Sequence, residues 1–148
     1  MLYYINMVNY ILIDGSYFMF YRYYAIVQWY KLSKREPSLD IENPINNKTF
    51  MDKFISTFQS KMLEIPKRLK LENNVIIVGK DCHRKDIWRL NIFKDYKANR
   101  VYDETFLGGA VFKSVWENDL FIKGGADKIF SHPNLEADDC LAITTKHI

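Results

Sequence analysis

Cysteine is nearly absent: Cys82 and Cys140 are the only two in 148 residues. Two distant cysteines make no disulfide framework, which points to a reducing, intracellular compartment. They make a poor zinc set, because Cys82, His83, Cys140 and another histidine lack the paired spacing of structural zinc sites. A long apolar run is missing too. Residues 1–14 are apolar, but Asn6 and Asn9 interrupt them. The stretch is too short to span a bilayer and has no basic leader, so neither a membrane anchor nor a signal peptide is expected. No repeat or low-complexity segment is visible. There is also no commanding charge: a net +3 is too small to prove a polyanionic partner, so where the positive charge sits matters more than its sum. What is present suffices for one folded domain, since 48% hydrophobic with 26% charged residues lies outside the disordered range.

Two apolar strands each finish on an aspartate. Val8 to Ile13 is a near-continuous β-branched and aromatic run of the kind a buried parallel strand uses, and it ends in Asp14-Gly15-Ser16. Gly15 permits a sharp turn and Ser16 can cap the next helix. Asn74 to Val78 repeats the pattern and leads into Gly79-Lys80-Asp81. Between them, a helix is predicted from Tyr17 to Tyr30 or Lys31, aromatic nearly all round, with Arg22 its one central charge. A polar loop with Pro37 and Pro44 follows over 34–48. A second helix is predicted over 49–63, where Phe50, Phe54, Phe58 and Met62 recur every four residues as a core stripe, ended or kinked at Pro66. Strand–helix–helix–strand favours a parallel pair with a right-handed crossover. That brings Asp14 and Asp81 to the end of the sheet where ligands of α/β proteins bind. Gly108-Gly109 and Gly124-Gly125 bracket a third predicted helix over 110–121, and 126–130 reads as a third strand. The expectation is an α/β fold, a mainly parallel sheet flanked by helices. Asp14 alone reads equally as a turn former before glycine. Arg22 reads equally as a snorkelling cation or as a partner for acids or a phosphate.

Leu135-Glu136-Ala137-Asp138-Asp139-Cys140-Leu141-Ala142 is the densest signal in the chain. Leu135, Cys140, Leu141, Ala142 and Ile143 form the inner side of a helix, with Asn134 as its predicted N-cap after Pro133. The helix dipole favours an acid in the first turn and accounts for one carboxylate, two at most. Three adjacent anions repel and raise one another's pKa unless a cation sits among them. A divalent metal is such a cation, with Asp14 and Asp81 supplying further carboxylates. Upstream, the stretch from His83 to Arg100 carries Arg84, Lys85, Arg89, Lys94, Lys97 and Arg100, interleaved with Trp88, Phe93 and Tyr96. Such a mixture suits single-stranded or frayed nucleic acid, cations on phosphates and rings on bases. It also describes a solvated helix face with Trp88 and Phe93 in the core.

In order along the chain, Ile13-Asp14-Gly15-Ser16, Arg22, a strand into Asp81, Trp88-Arg89, Tyr96-Lys97-Ala98-Asn99-Arg100 and Glu136-Ala137-Asp138-Asp139 resemble the 5′-nuclease superfamily. That family includes flap endonucleases, the 5′–3′ exonuclease domain of bacterial DNA polymerase I and phage 5′ nucleases; the spacing is most similar to the phage enzymes. The resemblance implies a PIN-like or resolvase-like α/β domain that hydrolyses DNA phosphodiesters. It implies that Asp14, Asp81, Glu136, Asp138 and Asp139 hold Mg²⁺ or Mn²⁺, two ions in a complete parent. It implies that Lys97, Arg100 and Arg89 act on the scissile phosphate, that Tyr96 stacks on a base, and that Arg22 and Arg84 contact DNA. Partners would be DNA 5′ ends, flaps or RNA–DNA primers at the site of replication, with no membrane and no small-molecule cofactor. The family pattern continues past the acidic helix into a further metal-binding strand and a helical DNA-binding motif. Residues 1–148 therefore read as the N-terminal part of a catalytic domain, C-terminally incomplete and weak as a nuclease by itself. A PIN-class ribonuclease and a non-catalytic module for branched DNA stay open as alternatives.

Overall fold

The computed structural model describes residues 7–33, 43–100 and 105–148. Strands β1 (Asn9–Asp14), β2 (Asn74–Lys80) and β3 (Lys128–Ser131) form one parallel sheet in the order β1-β2-β3. The predicted parallel pair is present, with Asp14 opposite Gly79 in register. The third strand starts later than the sequence indicates. Asp127, just before it, joins Ile76 twice, its carboxylate accepting the Ile76 N–H at 2.7 Å and its own N–H donating to the Ile76 carbonyl at 2.9 Å.

Helix α1 (Gly15–Leu32) is capped by Asp14, whose carboxylate accepts the Tyr17 N–H at 2.9 Å; the expected cap, Ser16, lies inside the helix. Helix α2 (Lys48–Arg68) starts at Asn47 and passes through Pro66 rather than ending before it. Proline removes one intrahelical bond, and so near the end of the helix the last turn survives, closed by the Leu69 N–H on the Ile65 carbonyl. A short α3 spans Arg89–Ile92. The single helix predicted over 110–121 is two, α4 (Gly109–Glu117) and α5 (Leu120–Lys123), because Asp119 takes a left-handed φ of 52° and breaks the run. Helix α6 spans Ala137–Thr144. Most of the predicted polar loop, 34–42, and residues 101–104 lie outside the described residues.

The sheet has a helix layer on each face. Ile11, Ile13, Ile76 and Val78 join Met19, Tyr23 and Ile26 of α1, the Phe50-Phe54-Phe58-Met62 stripe of α2, and Val111, Val115 and Phe121 of α4 and α5 in the main core. Phe54, Phe58 and Phe121 are fully buried, and truncating any one to alanine costs about 3–5 kcal/mol. Helix α6 covers part of the opposite face and leaves a groove lined by Tyr10, Val75, Ile77, Phe130 and Ile143. Two glycines set how closely the layers approach. A Cβ on Gly15 would lie 2.8 Å from the Gly79 carbonyl oxygen and 2.9 Å from the Trp116 ring, and a Cβ on Gly79 would lie 2.8 Å from the Ala137 carbonyl oxygen. The start of α1 therefore comes directly against the backbone of β2, and β2 directly against the backbone at the start of α6.

Candidate functional site

The carboxyl ends of β1 and β2 meet the N-terminus of α6. Asp81, the first residue after β2, accepts the Ala137 N–H at 2.7 Å and satisfies one of the open donors of the helix start. The rest of that loop is zipped to the segment entering α6. Cys82 N–H donates to the Leu135 carbonyl and Trp88 N–H to the Asn134 carbonyl, each at 3.0 Å. The Asn134 side-chain amide donates to the Asp86 carbonyl at 2.9 Å. Asn134 is thus a bridge between loops, not the N-cap predicted for it. The cap is Glu136, whose own N–H donates to the Asp139 carboxylate at 3.2 Å.

The five predicted acids fall into two groups. Glu136 is buried and receives Lys97 Nζ at 2.6 Å, Tyr96 Oη at 2.8 Å and Arg89 Nη1 at 3.0 Å. Asp139 takes two N–H groups of Arg89, at 2.5 and 2.8 Å, and the Trp88 indole N–H at 3.1 Å. The Arg89 guanidinium also lies over the Trp88 and Tyr96 rings, 4.9 and 5.5 Å from their centroids. Asp14, Asp81 and Asp138 make no ion pair among the described residues.

The titration behaviour follows that division. Burial pushes the Asp14 carboxyl up, and the charges of Asp81 and Asp138 push it further, against the stabilising Tyr17 N–H. Burial would raise Glu136 as well, but Lys97, Tyr96 and Arg89 together hold it below the ordinary range. The Arg89 fork, with help from Trp88, holds Asp139 down despite burial. Burial opposes the charge on Lys97, and its bonds to Glu136 and Tyr96 reverse that and raise it.

The basic residues take different stations. Lys97 adopts a left-handed φ of 57°, rare for a residue with a side chain. Arg84 is exposed and donates to the Lys97 carbonyl at 3.0 Å. Arg100 is exposed and its backbone N–H donates to the same carbonyl. Arg22 is 8% exposed, with its Nε unpartnered and its guanidinium 4.5 Å from the Tyr21 ring centroid; no bond joins it to the five acids. Two contacts were not legible beforehand. Trp88 holds Asp139 through its indole, and Tyr96, expected to stack on a base, spends its hydroxyl on Glu136. The signal for both was the crowd of acids itself: buried anions draw whatever donors the neighbouring loop can supply.

A divalent ion suits part of this set. Asp14, Asp81 and Asp138 are hard oxygen donors with no cationic partner among the described residues; burial raises the Asp14 carboxyl most, and the two neighbouring carboxylates add to it. Glu136 and Asp139 are taken by cations. As the side chains stand, no group of three His, Cys, Asp or Glu among the described residues lies close enough together to hold an ion. Both cysteines are free.

No protein-family model matches the chain, and no curated protein matches it. Among solved structures, the T5 D15 protein, co-crystallised with metal ions, is similar at 19% identity and a TM-score of 0.43. The match covers 93% of this chain and 44% of that one, so the chain spans less than half the length of its structural neighbour. No helix among the described residues is long and apolar enough to cross a membrane.

Proposed function

We propose that this chain belongs to a metal-dependent nuclease of the 5′-nuclease type, acting on DNA with 5′ ends or flaps. The observation that carries the reading is one of placement: uncompensated carboxylates at the ends of two parallel strands, flanked within one loop by Lys97, Arg89 and Arg100. Phosphodiester hydrolysis needs both charges side by side. In this reading Asp14, Asp81 and Asp138 would hold Mg²⁺ or Mn²⁺, and bound ions would supply Lewis acidity and an activated water. Lys97 would offset charge on the phosphate, as a positioned cation does best where water is thin. Its present bond to Glu136 keeps it aimed in the absence of DNA. Glu136 and Asp139 would act chiefly as anchors for Lys97 and Arg89.

One observation favours a second reading, a non-catalytic module for branched DNA: no three donors are gathered on a single point among the described residues. A single set of assays separates the two. Purified chain is incubated with 5′-flap DNA, and with RNA of the same sequence, in Mg²⁺ and in Mn²⁺. Metal-dependent cleavage of the DNA that falls at least about 100-fold in Asp81→Asn supports the nuclease. Binding that weakens with salt and needs no divalent ion, with no cleavage even when the protein is in large excess over DNA, supports the binding module. Cleavage confined to RNA replaces the proposal with a PIN-class ribonuclease.

A further inference from the structure

We propose that Arg84 is a positioning residue that holds Lys97 in its left-handed backbone conformation, and so aims the Lys97 ammonium. The inference rests on the nuclease reading for its kinetic consequence, but not for its structural content. Lys97 is one of four non-glycine residues at positive φ among the described residues, and it alone of those carries a side chain bound into the acid cluster. A left-handed lysine persists only where its surroundings over-determine it. Two donors converge on its carbonyl oxygen, the Arg100 N–H and Arg84 Nη2, each at 3.0 Å. The first is local and closes the turn that Lys97 itself forms. The second comes from thirteen residues upstream. Arg84 begins the one-turn 3₁₀ helix Arg84–Asp86, within the loop zipped to the segment 134–136. The same segment delivers Glu136, the far anchor of the Lys97 side chain. Lys97 is therefore tied at its carbonyl and at its ammonium to one rigid body, and Arg84 supplies the first tie. A charged guanidinium suits that task because a hydrogen bond with an ionised donor is stronger than a neutral one.

The test has a structural arm and a kinetic arm. The three-bond HN–Hα coupling and Cα chemical shift of Lys97 report its φ in solution, in wild type and in Arg84→Ala. Arg84 is exposed, so the variant should fold, and the rest of its amide spectrum checks this. Lys97 leaving the left-handed region in the variant is the expected result; a Lys97 that keeps its φ without Arg84 overturns the proposal whatever the protein cuts. For the kinetic arm, Arg84→Ala should lower kcat on 5′-flap DNA about tenfold with KM within about twofold, the mark of a misplaced group, not of a lost contact. In a Lys97→Ala background it should cost nothing further. Losses that add across the double variant, or that fall mainly on KM and steepen with salt, make Arg84 a direct phosphate contact and sink the positioning role. Wild type that cuts no substrate even when the protein is in large excess over DNA, with Lys97 relaxing in the variant as expected, removes the nuclease reading and leaves the structural claim standing.

Discussion

Asp139 and Asp14 show how the same side chain is set to opposite purposes by its neighbours. Asp139, gripped by Arg89 and Trp88, has its pKa lowered, and Asp14, half-buried near Asp81 and Asp138, has its pKa raised. The signs translate directly into pH dependence. A carboxyl held low adds stability that is complete above the ordinary aspartate range and is lost as pH falls through the folded value. A carboxyl held high does the reverse: its charge weighs against the fold above the folded pKa, and the burden lifts as pH drops. Glu136 sides with Asp139. Denaturant titrations from neutral pH downward should therefore show stability falling below the ordinary carboxylate range, and Asp139→Asn should flatten that fall while lowering stability at pH 7. An acid limb unchanged in Asp139→Asn would mean that the Arg89 fork does not persist in solution.

At the level of elements, the sequence was clearest where periodicity was strong. The two aspartate-ended strands and the phenylalanine stripe of α2 stand where their patterns put them, because a continuous apolar run and a four-residue recurrence are properties of the chain alone. Boundaries were missed where a side chain is spent across the fold: Asp127 accepts from Ile76 just before β3 begins, and Asn134 donates to Asp86 while Glu136 caps α6. The candidate site was half legible. The acids and bases could be named from the chain, but not that Glu136 and Asp139 would be satisfied by Lys97, Arg89, Tyr96 and Trp88, since that pairing depends on a loop-to-loop zipper with no local signature. The junction of β2 with α6 gives a sharp prediction. Gly79→Ala places a methyl 2.8 Å from the Ala137 carbonyl oxygen and 3.0 Å from Leu141 Cγ. With backbone on one side, little can give way. The cost should be about 1–3 kcal/mol, read as a lower urea midpoint with unchanged m-value. The Asp81 bond to Ala137 should loosen with it, seen as faster hydrogen exchange at the Ala137 amide. A variant as stable as wild type would mean that α6 rides further from the sheet than described.

For the whole molecule, the test is how stability responds to an ion. On the proposed reading Mg²⁺ or Mn²⁺ should raise Tm, because the native carboxylates would bind what the unfolded chain does not. Asp14→Asn should raise Tm in the absence of metal by removing one of the crowded charges, while asparagine still caps α1 as Asn47 caps α2. The metal-induced shift should shrink in the same variant. An equal shift in both proteins would place the ion elsewhere. The closeness of Asp14 to Asp81 and Asp138 is not written in the acids. It is written at Gly15 and Gly79, where α1 comes against the backbone of β2 and β2 against the start of α6. The distance between the charges is thus a gauge whose setting lies in two missing methyl groups. A chain could keep every acid and every base and still lose the instrument by gaining a single carbon at either of these places.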